Sequence, residues 1–154
     1  MTIYSKSKKN QETILLDLVK SAVACNLCFL VEGYKYLEGE KLVTFISIFK
    51  KTRKDNEFIN WDIDPLVYQI PEGVNYPIKY ISDNQLMTSS DYHRIAVSSI
   101  SVDDEIAYSF CYEYLKLNND DIFIPDDVGL TWETMSKIYE NGYFKTWFKG
   151  VTLK

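Results

Sequence analysis

The first strong pattern along the chain is an apolar stripe at helical spacing between Gln11 and Asn26. Its members recur in adjacent pairs four residues apart, and they are Ile14, Leu15, Leu18, Val19, Ala22 and Val23. This spacing is typical of a helix with one face against a core. Asn10 precedes the stripe, and its short side chain can accept from the exposed amides of a first helical turn. We therefore predict a helix that begins after Asn10.

Two further helices are predicted in the second half of the chain. One follows Ser101, a candidate N-cap, because acidic residues come directly after it, where the positive end of a helix favours them. Its apolar stripe consists of Ile106, Ala107, Phe110, Cys111, Tyr114 and Leu115. The other follows Thr131, with Leu130 and Met135 in the positions of a hydrophobic staple. Asn141-Gly142 is a common helix ending.

The segments between the first two helices have the composition of strands. Leu27 to Leu37 and Leu42 to Lys50 are β-branched and aromatic and flank a polar turn with one glycine, which predicts a hairpin. Phe58 to Ile63 alternates apolar and polar residues, as a half-buried third strand does. Shorter strands are predicted within 92–99 and at Ile122 to Ile124.

The order of these elements predicts one α+β domain spanning 1–154, with a mainly antiparallel sheet and about three helices packed on it. Residues 1–9 are polar and basic and are interpreted as a short mobile arm. Signals are poor from Pro65 to Met87, because Pro71 and Pro77 interrupt regular structure. Tyr143 to Phe148 fits either a terminal strand or an amphipathic tail.

Composition places the chain among compact intracellular proteins. It has 154 residues, of which 46% are hydrophobic and 25% charged, the usual range for a globular domain. No apolar run is long enough to span a membrane, and the polar first residues do not resemble a signal peptide. The three cysteines, an odd number, argue against a disulfide framework. We expect a cytoplasmic protein with reduced thiols.

The cysteines and the single histidine do not form a recognisable reactive motif. Cys25 and Cys28 make a C-x-x-C, but the pair falls where a helix ends, and the helix dipole there does not stabilise a thiolate. A zinc site would need Cys111 and His93 as further ligands. His93 follows a serine pair and Asp91, but no nucleophile-elbow sequence accompanies it. We expect no metal, no cofactor and no catalytic residues.

Negative charge is concentrated in one part of the chain. Nine acidic residues lie between Asp103 and Glu133 against one basic residue, Lys116, whereas the whole chain has a net charge of −5. A surface of one sign attracts a partner of the other. The proposed steering charges are Asp103, Asp104, Asp120, Asp121, Asp126 and Asp127. The proposed aromatic anchors are Tyr108, Tyr112 and Trp132. Ordinary helix capping and solubility remain an alternative explanation for these acids.

These features predict a binding protein and not an enzyme. A small acidic domain with aromatic anchors has the profile of an immunity protein, which masks the basic active site of a toxin such as a nuclease by stoichiometric binding. The acidic balance opposes nucleic-acid binding. Two alternatives stay open: a small enzyme that uses carboxylates and His93, and a structural or adaptor subunit.

Overall fold

The computed structural model describes residues 1–35, 42–50, 58–63, 77–83, 85–101, 104–125 and 128–140. The helices are α1 (Gln11–Ala24), α2 (Asp104–Leu117) and α3 (Trp132–Glu140). The strands are β1 (Thr2–Ser5), β2 (Cys28–Lys35), β3 (Leu42–Phe49), β4 (Phe58–Ile63), β5 (Ile78–Ser82), β6 (Gln85–Ser89), β7 (His93–Ser101), β8 (Ile122–Ile124) and β9 (Gly129–Leu130).

Within this part of the chain, the strands form one sheet in the order β2-β3-β4-β7-β1-β8-β9-β5-β6. Every neighbouring pair is antiparallel except β5 and β9, which run parallel. The predicted α+β class, with three helices on a mainly antiparallel sheet, is confirmed. In the parallel pair, β9 follows α2 in the chain and lies between β8 and β5.

The N-terminal residues are a central strand, so the prediction of a mobile arm is wrong. Strand β1 lies between β7 and β8, and Ile3 pairs with Ala96 on one side and with Phe123 on the other. The Ile3 side chain is fully buried. A strand of four residues between two partners needs no long alternating pattern, and its partners are distant in sequence, so local periodicity did not reveal it.

Two clusters of buried side chains lie on opposite faces of the sheet. The larger joins all three helices to the sheet and includes Ile3, Leu18, Phe110, Phe123 and Met135. The smaller contains Ile78, Tyr92 and Ile122, with Tyr4, Tyr80 and Ile124 packed against it. Successive side chains of a strand point to opposite faces, so Phe123 belongs to the larger cluster and its neighbour Ile122 to the smaller one.

The predicted starts of α1 and α3 are confirmed by their capping contacts. The backbone N–H of Thr13 donates to the Asn10 side chain at 2.7 Å, and the N–H of Thr134 donates to the Thr131 hydroxyl at 3.3 Å. The predicted cap of α2 is wrong. Ser101 belongs to β7, where it pairs with Phe58, and the helix begins at Asp104. Sheet pairing therefore outweighs the capping preference of Ser101.

The remaining strand predictions are confirmed where the structure describes them. Strands β2 and β3 form the expected hairpin, and β4 and β8 have the predicted bounds. The hairpin turn, Asn141-Gly142 and Tyr143 to Phe148 lie outside the described residues.

A second hairpin, from Ile78 to Ser89, begins inside the segment from Pro65 to Met87, where the sequence signals are poor. Strands β5 and β6 pair directly, and two residues separate them in sequence. Asp83, the first of these two, has a left-handed φ of 49°. Asp tolerates this left-handed conformation, but the Asp-Asn pair lacks the glycine of the strongest hairpin signals and is flanked by polar Ser82 and Gln85, so the sequence does not indicate the turn clearly.

Gly129 allows β9 to fit between its neighbours. A Cβ atom added there would lie 2.5 Å from Cγ2 of Ile122 and 3.1 Å from the backbone oxygen of Lys79. The first distance is far inside van der Waals contact, so a side chain at this position would force β8 or β5 to move. The absence of a side chain thus brings together the strand ends that border the site described next.

Candidate functional site

Four aromatic rings of α2 and α3 stack into a continuous row. Tyr108 and Tyr112 are one helical turn apart on α2, and Trp132 and Tyr139 come from α3. Ring centroids are 6.0 Å apart for Tyr108 and Tyr139, 3.9 Å for Tyr139 and Tyr112, and 5.3 Å for Tyr112 and Trp132. We call this set the aromatic row. It brings together the three aromatic anchors predicted from the sequence and adds Tyr139.

The two ends of the aromatic row differ in exposure. Tyr108 is only 3% exposed and packs into the main core, so as an anchor for a partner it is a wrong prediction. Burial, with Tyr139 and Tyr112 close by, raises the pKa of Tyr108 to about 12. Tyr139 is 49% exposed, and Tyr112 and Trp132 are half-buried. The accessible part of the row therefore consists of Tyr139, Tyr112 and Trp132.

By its spacing, Tyr139 belongs to the same helix face as Met135 and Ile138. Those two residues are buried, whereas Tyr139 lies over Tyr112 at the margin of the helix pair. The i, i+4 spacing of Tyr108 and Tyr112 was the available signal for a row of rings. Nothing in the sequence indicated which ring of α3 would lie against them.

A cleft adjoins the Trp132 end of the aromatic row. The sheet register brings together the C-terminal ends of β1, β5 and β9 and the start of β8. The cleft opens at this end of the four strands. It encloses about 330 Å³, within the range of small-ligand pockets. The side chains that give it its character are Lys6, Tyr80, Tyr92, Asp120, Trp132 and Glu133. We call it the β1–α3 cleft.

A cation is already held against an aromatic wall of the β1–α3 cleft. The Lys6 ammonium lies 5.4 Å from the centre of the Tyr92 ring, which is within the range of a cation–π contact. The Tyr80 ring is 5.8 Å from that of Tyr92. Burial raises the pKa of Tyr92, and the Lys6 ammonium opposes this rise. The wall can therefore accommodate a positively charged group.

Glu133 takes part in a small carboxylate cluster at the mouth of the cleft. Its carboxylate accepts from Lys137 Nζ at 2.6 Å, one turn along α3, and this hydrogen bond lowers the pKa of Glu133. A hydrogen bond with Glu133 raises the pKa of Asp83, the turn residue between β5 and β6. Both carboxyl groups are open to solvent, so the cluster adds negative character to the surface and not to the core.

Asp121 is buried, and it is a wrong prediction as a steering charge. Its side chain is 2% exposed and lies 2.6 Å from Lys9 Nζ, which is itself 13% exposed. The Tyr114 hydroxyl donates to the same carboxylate oxygen at 2.8 Å. Burial and this carboxylate raise the pKa of Tyr114 well above its ordinary value. Lys9 thus neutralises Asp121 inside the molecule.

The other five predicted steering charges have different placements. Asp120 is exposed and lines the cleft. Asp104 begins α2, and its side chain is outside what the structure describes. Asp103, Asp126 and Asp127 lie outside the described residues. Glu113, another acidic residue of this segment, forms an ion pair with Lys116, in which Oε2 and Nζ are 3.5 Å apart.

The three cysteines are free thiols. Cys25 caps the end of α1, as expected, and burial together with nearby Glu113 raises its pKa to about 11. Burial also raises the pKa of Cys111 well above its ordinary value. Both thiols therefore stay protonated at neutral pH, so neither is an activated nucleophile.

His93 begins β7 opposite Ser5 and does not line the cleft. The described residues contain no group of three or more His, Cys, Asp or Glu side chains arranged to hold a metal ion.

Comparisons with protein-family models, with curated proteins and with solved structures find no significant match for this chain. Among the described residues, no helix has both the length and the apolar character that crossing a membrane requires.

Proposed function

We propose that the protein is a non-catalytic binding protein that holds a basic protein partner against the aromatic row and the β1–α3 cleft. One observation carries the proposal: exposed Asp120 and the partly exposed rings of Tyr112, Trp132 and Tyr139 lie on one continuous surface. Interfaces are commonly organised in this way, with aromatic anchors inside a charged rim.

The rings and the acids have different roles in this proposal. Tyr and Trp supply large contact areas and lose little rotamer entropy, so they account for most of the affinity. Exposed charges contribute less to affinity, but they accelerate encounter with a partner of opposite sign. Since Glu133 and Glu113 are already paired with lysines, Asp120 carries the largest share of this steering.

The partner that best fits is a basic toxin, and the protein then acts as its immunity protein. A nuclease needs a cationic groove for phosphate, and an acidic, aromatic surface can occupy that groove in a one-to-one complex. The proposal also places the protein in the cytoplasm, because free Cys25, Cys28 and Cys111 suit a reducing compartment.

The test is capture from an extract of the native host at low salt, followed by elution at high salt. Two variants separate the proposed surface from general charge. Asp120→Asn with Tyr139→Ala removes an acid and a ring from the site. Glu32→Gln with Leu30→Ala removes an exposed acid and an exposed apolar side chain from β2, at the other end of the sheet.

We expect the site variant to weaken the complex at least about 10-fold, because truncation of an aromatic hot spot such as Tyr139 typically costs about 2 kcal/mol or more. The β2 variant should bind like the parent chain. The captured protein should be basic, and its activity should fall in proportion to the amount of complex. Equal binding by both variants, or a captured partner without basic character, argues against the proposal and favours an adaptor role.

A small enzyme is the second candidate, favoured by the fact that the cleft gathers Asp120, Asp121 and Glu133. Two features weigh against it: Asp121 is neutralised by Lys9, and His93 is not part of the cleft. Turnover of any substrate that is lost in Asp120→Asn but retained in Glu32→Gln would favour the enzyme over the binding protein.

A further inference from the structure

The β1–α3 cleft holds a positively charged group that belongs to the chain itself. Lys6 follows strand β1, and its side chain is exposed, yet its ammonium is positioned over the Tyr92 ring. The antiparallel register that pairs Ser5 with His93 brings Lys6 next to Tyr92, whereas the neighbouring Lys8 is also exposed and does not line the cleft. The contact shows that the aromatic wall of the cleft accommodates a cation.

The wall is suited to a larger cation than an ammonium. It combines the rings of Tyr80, Tyr92 and Trp132 with the carboxylates of Asp120 and Glu133. A guanidinium group is planar, so it stacks on aromatic faces, and it also binds carboxylates through two parallel hydrogen bonds. An ammonium offers a point charge only. The volume of about 330 Å³ leaves room for such a side chain beside or in place of Lys6.

The charges around the cleft favour a cation once Lys6 moves away. Glu133 pairs with Lys137, and Asp121 pairs with Lys9. The other two charged residues that line the cleft are Lys6 and Asp120. Displacement of Lys6 leaves Asp120 at the cleft. The positive end of α3 does not attract an anion here, since the Thr131 hydroxyl and the acidic residue Glu133 occupy its first turn.

We infer that the β1–α3 cleft is an arginine-binding site, in which Lys6 is the resident cation that an arginine side chain of the partner displaces. The inference rests on the proposed function for the source of the arginine. In this site the partner's arginine and Lys6 compete for the same aromatic wall.

The experiment uses short peptides, so that it does not depend on the partner. The full chain is titrated at about 0.15 M salt, where screening removes most long-range charge effects, with acetyl-Gly-Arg-Gly-amide. The same peptide with citrulline, the neutral counterpart of arginine, is the control ligand. The readout is the NMR signal of the Trp132 indole N–H, assigned by its loss in Trp132→Phe.

Binding should shift the Trp132 signal saturably with the arginine peptide and not with the citrulline peptide. Lys6→Ala should tighten binding about 2- to 5-fold, the change that corresponds to one exposed cation–π contact. Asp120→Asn should weaken it by a similar factor. Lys8→Ala and Glu32→Gln are the charge-matched controls, and we expect both to bind like the parent chain.

Several results would overturn the inference: no saturable shift, an equal response to citrulline, or equal effects of Lys6→Ala and Lys8→Ala. These outcomes are independent of the capture experiment. If a basic partner is captured through the aromatic row while the arginine peptide fails, the cleft assignment is wrong and the binding function stands. If the peptide binds but the captured partner is not basic, the proposed function is wrong and the arginine site remains.

Discussion

The ion pair of Lys9 and Asp121 removes one of the predicted acidic residues from the surface charge. Lys9 Nζ also donates to the Asn118 side chain and lies 3.6 Å from Asp17, so one ammonium joins α1 to the turn after α2. Its distance to the Tyr114 ring centre is 5.8 Å. The side chains of Lys9 and Asp121 are 13% and 2% exposed, so each charge needs the other, because a buried ion without a partner destabilises the folded state.

Removal of one member of this pair should destabilise the protein strongly. We expect Lys9→Met to lower the free energy of unfolding by about 3–5 kcal/mol, since it leaves Asp121 charged and enclosed. Urea denaturation measures the change. Lys8→Met is the matched control, and as an exposed substitution it should stay within about 0.5 kcal/mol of the parent.

The double variant Lys9→Met with Asp121→Asn should recover part of the loss, because the enclosed charge is gone. A single variant as stable as the Lys8 control would contradict the enclosed ion pair.

At the scale of elements, the helices were predictable and several strands were not. The signals that predict a helix lie within its own segment of the chain. Asn10 and Thr131 cap the starts of α1 and α3, and the apolar stripes that include Leu18 and Phe110 repeat at the helical period. A short strand is defined by its partners. Strands β1 and β9 have four and two residues, and their neighbours lie far along the chain, so no local period identifies them.

Substitution of Ile3 tests the placement of β1 directly. Ile3→Ala should lower the free energy of unfolding by about 2–5 kcal/mol, because it empties a fully enclosed site in the main core. Leu16→Ala removes a similar side chain from the exposed face of α1, where half of it is in solvent, and should have little effect. If residues 1–9 were an arm, both substitutions would be equally harmless in thermal or urea unfolding.

At the scale of the whole molecule, part of the candidate site followed from the sequence. Tyr112, Trp132 and Asp120 were identified from composition and spacing, and they lie at one surface. The assignments of Tyr108 and Asp121 failed because their burial depends on α3 and on Lys9, which the chain brings in from its two ends. The β1–α3 cleft was not predictable, since it exists only where four strand ends meet.

Enclosed thiols and phenols should make the fold sensitive to alkali. The folded pKa of Cys25 is about 11 against an ordinary 9.0, and that of Tyr108 is about 12 against 10.0. Burial raises the pKa of Cys111 and Tyr114 as well. The unfolded chain releases these protons first, so between the unfolded and folded pKa values the native state binds more protons. Stability from these groups is complete below about pH 9 and falls as pH rises.

Urea denaturation at intervals from pH 7.5 to pH 10 measures this trend. The free energy of unfolding should be level near pH 8 and decline toward pH 10. The free energy of unfolding of Cys111→Ala should decline less steeply with pH than that of the parent chain, because one enclosed thiol is absent. Its value at pH 7.5 should be lower than that of the parent chain. A parent curve that stays level to pH 10 would contradict the enclosure of these groups.

Strand β1 also has a consequence for the order in which the molecule assembles. Within the described sheet it is the sole connection between β2-β3-β4-β7 on one side and β8-β9-β5-β6 on the other. It precedes both of its partner strands by a long stretch of chain, so its neighbours Ala96 and Phe123 are synthesised only much later. Until then the two half-sheets have no common strand, so we expect this stretch to wait unpaired during synthesis and to join the halves at a late step of folding.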